Sequence, residues 1–363
     1  MKNIILHDYF ESLEGGGRLC NVLAHGLNMD LGYGFASKDH PFIEKLTQHS
    51  LNSYSSIPLW KQIKLARAFN KQTKFLENYE TVIYSGFYTP LAVNNHLNGK
   101  NILYCHTPPR FIYDQKKFYL ASLPAPLRPL LQMFSNYLQP RYEDSINNMD
   151  VIIANSVNVS NRIQHYLGKQ SIVIYPPCDT KRFQWLGQAD YYLSMGRLDP
   201  LKRVDLIVQA FLKMPAKKLI ITSGGEELTK LQKLANQANN IHFTGWINDQ
   251  KLAELVGKSI ATLYLAKDED FGMSPVESMA AGKPVIGAAE GGLLETIIPN
   301  KTGFLLEPSV SAICQAVANM TPKAALNMRN NCEKQAQCFR TEIFLEKMQL
   351  ILKNYNISSM NLS

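Results

Sequence analysis

The stretch Glu269-Asp270-Phe271-Gly272-Met273-Ser274-Pro275-Val276-Glu277-Ser278-Met279-Ala280-Ala281-Gly282-Lys283-Pro284 decides the fold. Apolar, strand-like runs flank it at 261–265 and 284–287, and the pattern between them predicts a loop and then a helix over 275–281. Ser274 reads as an N-cap, Pro275 suits the first helical position, and Glu277 completes a capping box. Gly282 closes the helix and Pro284 prevents its return. Strand, helix, strand is the repeating unit of a parallel sheet covered by helices.

The same grammar extends outward. In the first half, strands are predicted at 3–6, 81–84, 101–104, 151–154 and 171–174, with helices at 18–29, 59–76 and 127–147. In the second, strands at 191–194, 218–222 and 241–244 alternate with helices at 203–213, 227–236 and 249–257. Tyr175-Pro176-Pro177-Cys178-Asp179 lies between, where two prolines forbid a helix or a central strand. The expected domains are 1–178, 179–340 and a final helical segment, 341–363, returning to the first domain. The expected class is α/β: two doubly wound, Rossmann-like domains facing a central cleft, with ligands at the carboxyl ends of the strands.

Composition excludes other classes. The chain of 363 residues is 45% apolar and 19% charged, enough for two cores and too apolar for disorder. No run approaches the ~20 apolar residues of a membrane span. The start, Met1-Lys2-Asn3-Ile4-Ile5-Leu6-His7-Asp8, is too soon charged for a secretory signal, so a cytoplasmic location is expected. Six cysteines form no Cys-x-x-Cys pair and eight histidines no ligand spacing, so no metal site is expected. The net charge of +8 is shared by both halves, which does not suit a nucleic-acid binder but favours anionic partners.

Four segments carry chemistry. Glu269 follows a strand, and the N–H groups of Met273 and Ser274 open a helix, which makes an anion site. With Glu277 eight positions on, the set suits a ligand bearing phosphate and hydroxyl groups, such as a nucleotide sugar; the plainer reading of Glu277 is a cap. Arg197 and Lys202, in Gly196-Arg197-Leu198-Asp199-Pro200-Leu201-Lys202, pair a planar fork with a point charge, as around diphosphates. Gly15-Gly16-Gly17 form a turn between first strand and first helix, without the pattern of an NAD or ATP loop. His106, in Tyr104-Cys105-His106-Thr107-Pro108-Pro109-Arg110, is held by a loop that two prolines stiffen.

Together these segments resemble the family-4 (GT4) retaining glycosyltransferases of GT-B fold. The Glu269-x7-Glu277 pair, Gly196-Arg197-Leu198…Lys202, Ala289-Glu290-Gly291-Gly292-Leu293-Leu294-Glu295 and Thr302-Gly303-Phe304-Leu305 carry the likeness, and the N-terminal motifs resemble bacterial O-antigen mannosyltransferases. The resemblance implies a donor site in which Glu269, with the backbone of Phe271, Gly272 and Met273, holds sugar hydroxyls. Glu277 would hold the ribose, Arg197 and Lys202 the leaving diphosphate, and Ile247 the nucleobase. Gly15, Gly16 and Gly17 would close over the diphosphate, and His106 would orient the donor near the anomeric carbon. No metal or other cofactor is implied; the donor is GDP-mannose, the acceptor a polyprenyl-diphosphate-linked saccharide of surface polysaccharide or lipopolysaccharide synthesis. A UDP-sugar transferase is the alternative, and a nucleotide-sugar epimerase the rival of another class.

One charged stripe bears on location. Lys61, Lys64, Arg67, Lys71 and Lys74 recur at helical spacing without an acid, on one sector of a helix bordered by Trp60, Ile63 and Phe75. A solvated face is the plain reading. The sharper expectation is peripheral docking on an anionic membrane, at its cytoplasmic face.

Overall fold

A computed structural model describes residues 2–11, 15–37 and 46–353. The chain divides into two compact units: Met1–Tyr175 with the chain from Phe344 onward, and Pro176–Ile343. The junction falls inside the Tyr175-Pro176-Pro177 segment.

Among the described residues the first unit is built on the strands β1 (Asn3–His7), β2 (Asp30–Tyr33), β3 (Gln48–Ser50), β4 (Thr81–Ser85), β5 (Lys100–Cys105), β6 (Val151–Ala154) and β7 (Ile172–Val173). They run parallel in the order β3-β2-β1-β4-β5-β6-β7. Every residue of β4, β5 and β6 is buried, as expected of strands covered on both faces. Helices α1 (Gly15–Gly26), α2 (Pro58–Lys71), α3 (Lys116–Ser122), α4 (Arg128–Asn147) and α5 (Val157–Leu167) accompany them. One core layer joins Ile4, Leu65, Phe69, Val82, Leu103 and Leu138; the other joins Ile5, Leu19, Leu23, Ile83, Ile102 and Ile153.

The second unit has six parallel strands, β8 (Tyr192–Ser194), β9 (Leu219–Thr222), β10 (Ile241–Gly245), β11 (Thr262–Tyr264), β12 (Val285–Ala288) and β13 (Gly303–Leu306), in the order β10-β9-β8-β11-β12-β13. Its helices are α6 (Val204–Leu212), α7 (Leu228–Ala235), α8 (Asp249–Lys258), α9 (Met273–Ala280), α10 (Leu293–Thr296), α11 (Val310–Asn319) and α12 (Pro322–Gln337). The last helix, α13 (Thr341–Lys353), crosses the second junction, and its Phe344, Met348 and Ile351 enter the β1–β4–β5 core of the first unit. Lys100, buried beneath it, donates from Nζ to the Ile351 carbonyl at 2.5 Å.

In both sheets the strand order reverses beside the unit's first strand, at β1/β4 and at β8/β11. Loops leaving the carboxyl ends there diverge to opposite faces and leave a crevice, which is where ligands of open α/β sheets bind.

Three strands escape the sequence pattern. β2 reads Asp-Leu-Gly-Tyr and the edge strand β3 beside it Gln-His-Ser, glycine-bearing or polar segments that alternation does not reveal. β13 opens on Gly303 at φ +158°, where a Cβ would strike the Val285 carbonyl.

Candidate functional site

Two groups of side chains collect at these switch points, one in each unit. In the second unit, β8 leads through Gly196 into a short 3₁₀ turn, Pro200–Lys202, whose start is capped by Asp199 accepting the Leu201 N–H at 3.0 Å. β11 leads into the loop carrying Glu269. The Lys202 ammonium donates to Glu269 Oε2 at 2.7 Å and to the Tyr264 hydroxyl at 3.0 Å, while that hydroxyl donates to the same Oε2 at 3.0 Å. Burial acts against the charge on Lys202, but Tyr264 and the Glu269 carboxylate outweigh it and raise its pKa. Burial first, then the Glu269 charge, raises the Tyr264 phenol, which stays protonated as a donor. An ammonium has three N–H bonds, and two are used here, so one remains for a ligand.

The loop around Glu269 is held by backbone. Gly292 N–H donates to the Glu269 carbonyl at 2.8 Å, and Lys267 N–H to the Leu201 carbonyl at 2.7 Å. A Cβ on Gly291 would lie 2.6 Å from the Glu269 carbonyl oxygen, and one on Gly292 2.5 Å from the Phe271 Cα. Arg203, at φ +50°, pairs with Glu290 and so ties the loop after β8 to the loop after β12.

The helix start differs from the sequence reading. The N-cap of α9 is Gly272, at φ +93°, with no side-chain capping bond; the helix begins two residues before the expected start, so Ser274 and Pro275 are its second and third residues. Ser274 is therefore not a cap, and Glu277, five positions into the helix, cannot complete a capping box. The glycine's left-handed backbone makes the sharp entry that a Ser cap was expected to make. Glu277 is half-buried, and its charge, after burial, helps raise the pKa of the Cys178 thiol. The first-turn N–H groups of Met273 and Ser274 have no intrahelical acceptor, by position. The Phe271 ring is buried edge-on against Phe339 at 5.4 Å, so only its backbone can serve a ligand. Arg197 is exposed on the β8 loop, with Nε 4.0 Å from Asp199. Ile247 is half-buried on the loop after β10, beside the exposed Trp246.

In the first unit, His106 leaves β5 and its Nε2 lies 2.7 Å from the Ser85 hydroxyl at the end of β4. The Cys20 thiol donates to that hydroxyl at 3.3 Å. His7 Nδ1 lies 2.7 Å from the Ser85 carbonyl, which can only accept, so His7 carries its proton on Nδ1. Burial and then the neighbouring His7 push the His106 imidazole down to about 3, so it is neutral near pH 7. The Gly15–Gly17 segment is not the expected loop: the three residues form the first turn of α1. A Cβ on Gly16 would lie 3.2 Å from His7 Cε1 and 3.6 Å from His106 Nε2, so this turn lies over both imidazoles. Glu14 is outside the described residues.

Asp8 was not legible as a site residue. It is buried and accepts N–H bonds from Phe87 at 2.6 Å, Tyr88 at 2.9 Å and Thr89 at 3.2 Å. Burial raises its carboxyl to about 6, against the lowering effect of those three bonds.

The basic stripe is reduced. Lys61 pairs with Glu11 at 2.9 Å and lies over the Tyr9 ring, so it is not an unpaired surface charge. α2 ends at Lys71, and Lys74 belongs to a separate 3₁₀ turn, Lys74–Asn78, outside the projected helix. Phe75 stacks on His49 at 4.2 Å rather than facing solvent. Lys64, Arg67 and Lys71 remain exposed, with Trp60 beside them. Among the described residues, no helix is long and apolar enough to cross a membrane.

Comparison with known proteins fits this geometry. Residues 179–338 match the family model described as glycosyl transferases group 1. An alpha-1,3/1,6-mannosyltransferase, ALG2, of Dictyostelium discoideum is 24% identical over 267 residues, 60% of this chain and 61% of that protein. A GDP-mannose-dependent alpha-(1-6)-phosphatidylinositol monomannoside mannosyltransferase of Mycobacterium tuberculosis is 32% identical over 39% of this chain and 40% of its own. The chain thus spans about two fifths to three fifths of the length of these relatives. The solved sucrose-phosphate synthase of Thermosynechococcus elongatus superposes with a TM-score of 0.76 at 19% identity, covering 97% of this chain and 98% of that one. The fold is GT-B, with two parallel-sheet, Rossmann-like domains.

Proposed function

We propose, from the premise that residues 179–338 are a GT4-like, glycosyl transferases group 1 domain, that the chain is a glycosyltransferase using a nucleoside-diphosphate sugar. The observation that carries this is the Lys202–Tyr264–Glu269 array at the β8/β11 switch point, next to the amino end of α9. Lys202, with one donor left, and Arg197 supply positive charge to the diphosphate. The first-turn N–H groups of α9 add donors aligned with the helix dipole. Glu269 accepts from sugar hydroxyls, Glu277 takes the ribose, and Ile247 supports the nucleobase. Fixed charges placed where the leaving diphosphate develops charge act without reorganising, and they are the main source of rate. The reaction proceeds with retention and needs no metal.

GDP-mannose is the proposed donor, supported by relatives named as mannosyltransferases, one of them GDP-mannose-dependent. The proposed acceptor is a lipid-linked saccharide of surface polysaccharide synthesis, reached by peripheral contact with an anionic membrane from the cytoplasmic side. In the first unit, His106 is the proposed substrate-facing group, acting as a neutral imidazole fixed by Ser85 rather than as a cation.

Thermal unfolding with a panel of nucleotide sugars tests the donor. A ligand at 100 times its Kd adds ~2.7 kcal/mol, so GDP-mannose should raise the transition of the parent and not that of Glu269→Ala. A rise with UDP-sugars alone would move the donor assignment; no rise with any nucleotide sugar would remove the proposed function.

A further inference from the structure

A groove between α2 and α4 is used by none of the chemistry above. It is lined by Leu59, Ile63 and Ala66 on α2 and by Leu130, Met133 and Tyr137 on α4, and encloses about 490 Å³. That is within the ~300–1,000 Å³ of small-molecule sites. α4 is apolar on two faces. Phe134, Leu138, Tyr142 and Ile146 are buried, whereas Leu130, Met133 and Tyr137 are 45%, 67% and 49% exposed at helical spacing. An outward apolar face of this kind marks a binding surface.

The charge around it has one sign. α2 carries Lys61, Lys64, Arg67 and Lys71 and no acid, and α4 carries Arg128 and Arg141, with its two acids, Glu143 and Asp144, beyond Tyr137, the last α4 residue to line the groove. Among the described residues only Lys61 of these has a carboxylate partner. Arg67 and Lys71 line the groove itself. The Arg141 guanidinium lies 3.8 Å from the centre of the Tyr137 ring. An apolar trough bordered by cations that have no carboxylate partner, Arg67 and Lys71 among them, is complementary to a hydrocarbon chain attached to an anionic head.

We propose that this groove binds the hydrocarbon chain of a lipid phosphate, with the phosphate on Arg67 and Lys71. The inference rests on the lipid-linked acceptor of the proposed function and assigns the surface that would hold it. The chain lies along Leu59, Ile63, Leu130 and Met133, and the head stays in water at the cationic wall.

Calorimetric titration of the full chain with farnesyl phosphate, below its micelle concentration, tests it against farnesol and inorganic phosphate. Binding of farnesyl phosphate should exceed that of either fragment. Leu130→Asp/Met133→Asp should weaken it at least tenfold, as should Arg67→Glu/Lys71→Glu, the second loss shrinking in high salt. These residues are exposed or line the groove, so circular dichroism should stay that of the parent. No binding by the parent, binding by either variant as tight as the parent's, or equal binding of inorganic phosphate would overturn the proposal. A dimer that Leu130→Asp/Met133→Asp dissociates would give the face to a second copy and overturn it too. Farnesyl phosphate binding by a chain that binds no nucleotide sugar would uphold the groove and sink the transferase reading instead.

Discussion

Replacing Lys202 by Met breaks the array at the β8/β11 switch point while keeping the length of the side chain. Its cost follows from burial: the Lys202 and Glu269 side chains are 24% and 19% exposed, at 2.7 Å. Removing one partner of a fully buried pair costs ~3–5 kcal/mol, whereas exposed pairs contribute ~0.2–1 kcal/mol. A pair one-fifth exposed falls between, at ~2 kcal/mol. For a unit the size of Pro176–Ile343, each kcal/mol shifts Tm by ~2–4 °C, so Lys202→Met should unfold about 4–8 °C lower. Glu269→Gln should cost a similar amount, because it leaves the ammonium without its carboxylate. The double variant removes both charges and should cost only ~1 kcal/mol, less than either single, giving a coupling of ~3 kcal/mol in the cycle. Calorimetry of the four proteins measures it. Costs that add within ~0.5 kcal/mol would mean that the two groups do not act together, and the reasoning would fail.

Other consequences can be measured separately. Asp8 has its carboxyl raised to about 6 from 3.8, so its contribution is full below pH 3.8 and is lost as pH rises through 6. A rise from 3.8 to about 6 is worth ~3 kcal/mol, so the stability of the parent relative to Asp8→Asn should fall by that much between about pH 3 and 8; a flat difference in denaturant titrations would contradict the burial of the charge. Gly292→Ala places a Cβ 2.5 Å from Phe271 Cα at an ordinary φ of −65°, so strain comes from contact alone. It should cost ~1–3 kcal/mol and weaken nucleotide-sugar binding, and a neutral effect on both would show that the Glu269 loop is not braced there. Ser274→Ala should cost under ~0.5 kcal/mol, where loss of a true N-cap costs ~1 kcal/mol, and a drop of that size would restore the cap; Glu277→Gln should weaken nucleotide-sugar binding with Tm unchanged, and normal binding would take Glu277 out of the site.

What the sequence conveyed follows from which physics is local. Central strands such as Thr81–Ser85 and Lys100–Cys105 are buried on both faces, so their apolar runs stand out. Edge strands such as Gln48–Ser50 are defined by pairing with a neighbour, a contact that no local pattern encodes. The same limit applies at the site. Glu269 and Lys202 were visible as charged residues at loop positions, but their direct pairing through Tyr264 depends on β8 and β11 lying side by side. Ser85 and Asp8 look ordinary in sequence because their partners are about 20 and 80 residues away. The N-cap differs because Ser-Pro-x-Glu satisfies a local rule, while Gly272, with its left-handed φ, makes the helix entry two residues earlier. The stripe on α2 was a helical projection carried past Lys71, where the helix ends. α4 carries an outward apolar face that only the packing of its other side reveals.

The central claim is that the second unit delivers a sugar from a nucleoside diphosphate to an acceptor. Measuring GDP release from GDP-mannose in EDTA, with and without a polyprenyl-diphosphate-linked saccharide, tests it most directly. The account predicts release that requires the acceptor, a lengthened saccharide in equal amount, and loss of both in Glu269→Ala. Release that ignores the acceptor, sugar isomerisation in its absence, or no turnover of any nucleotide sugar would contradict it.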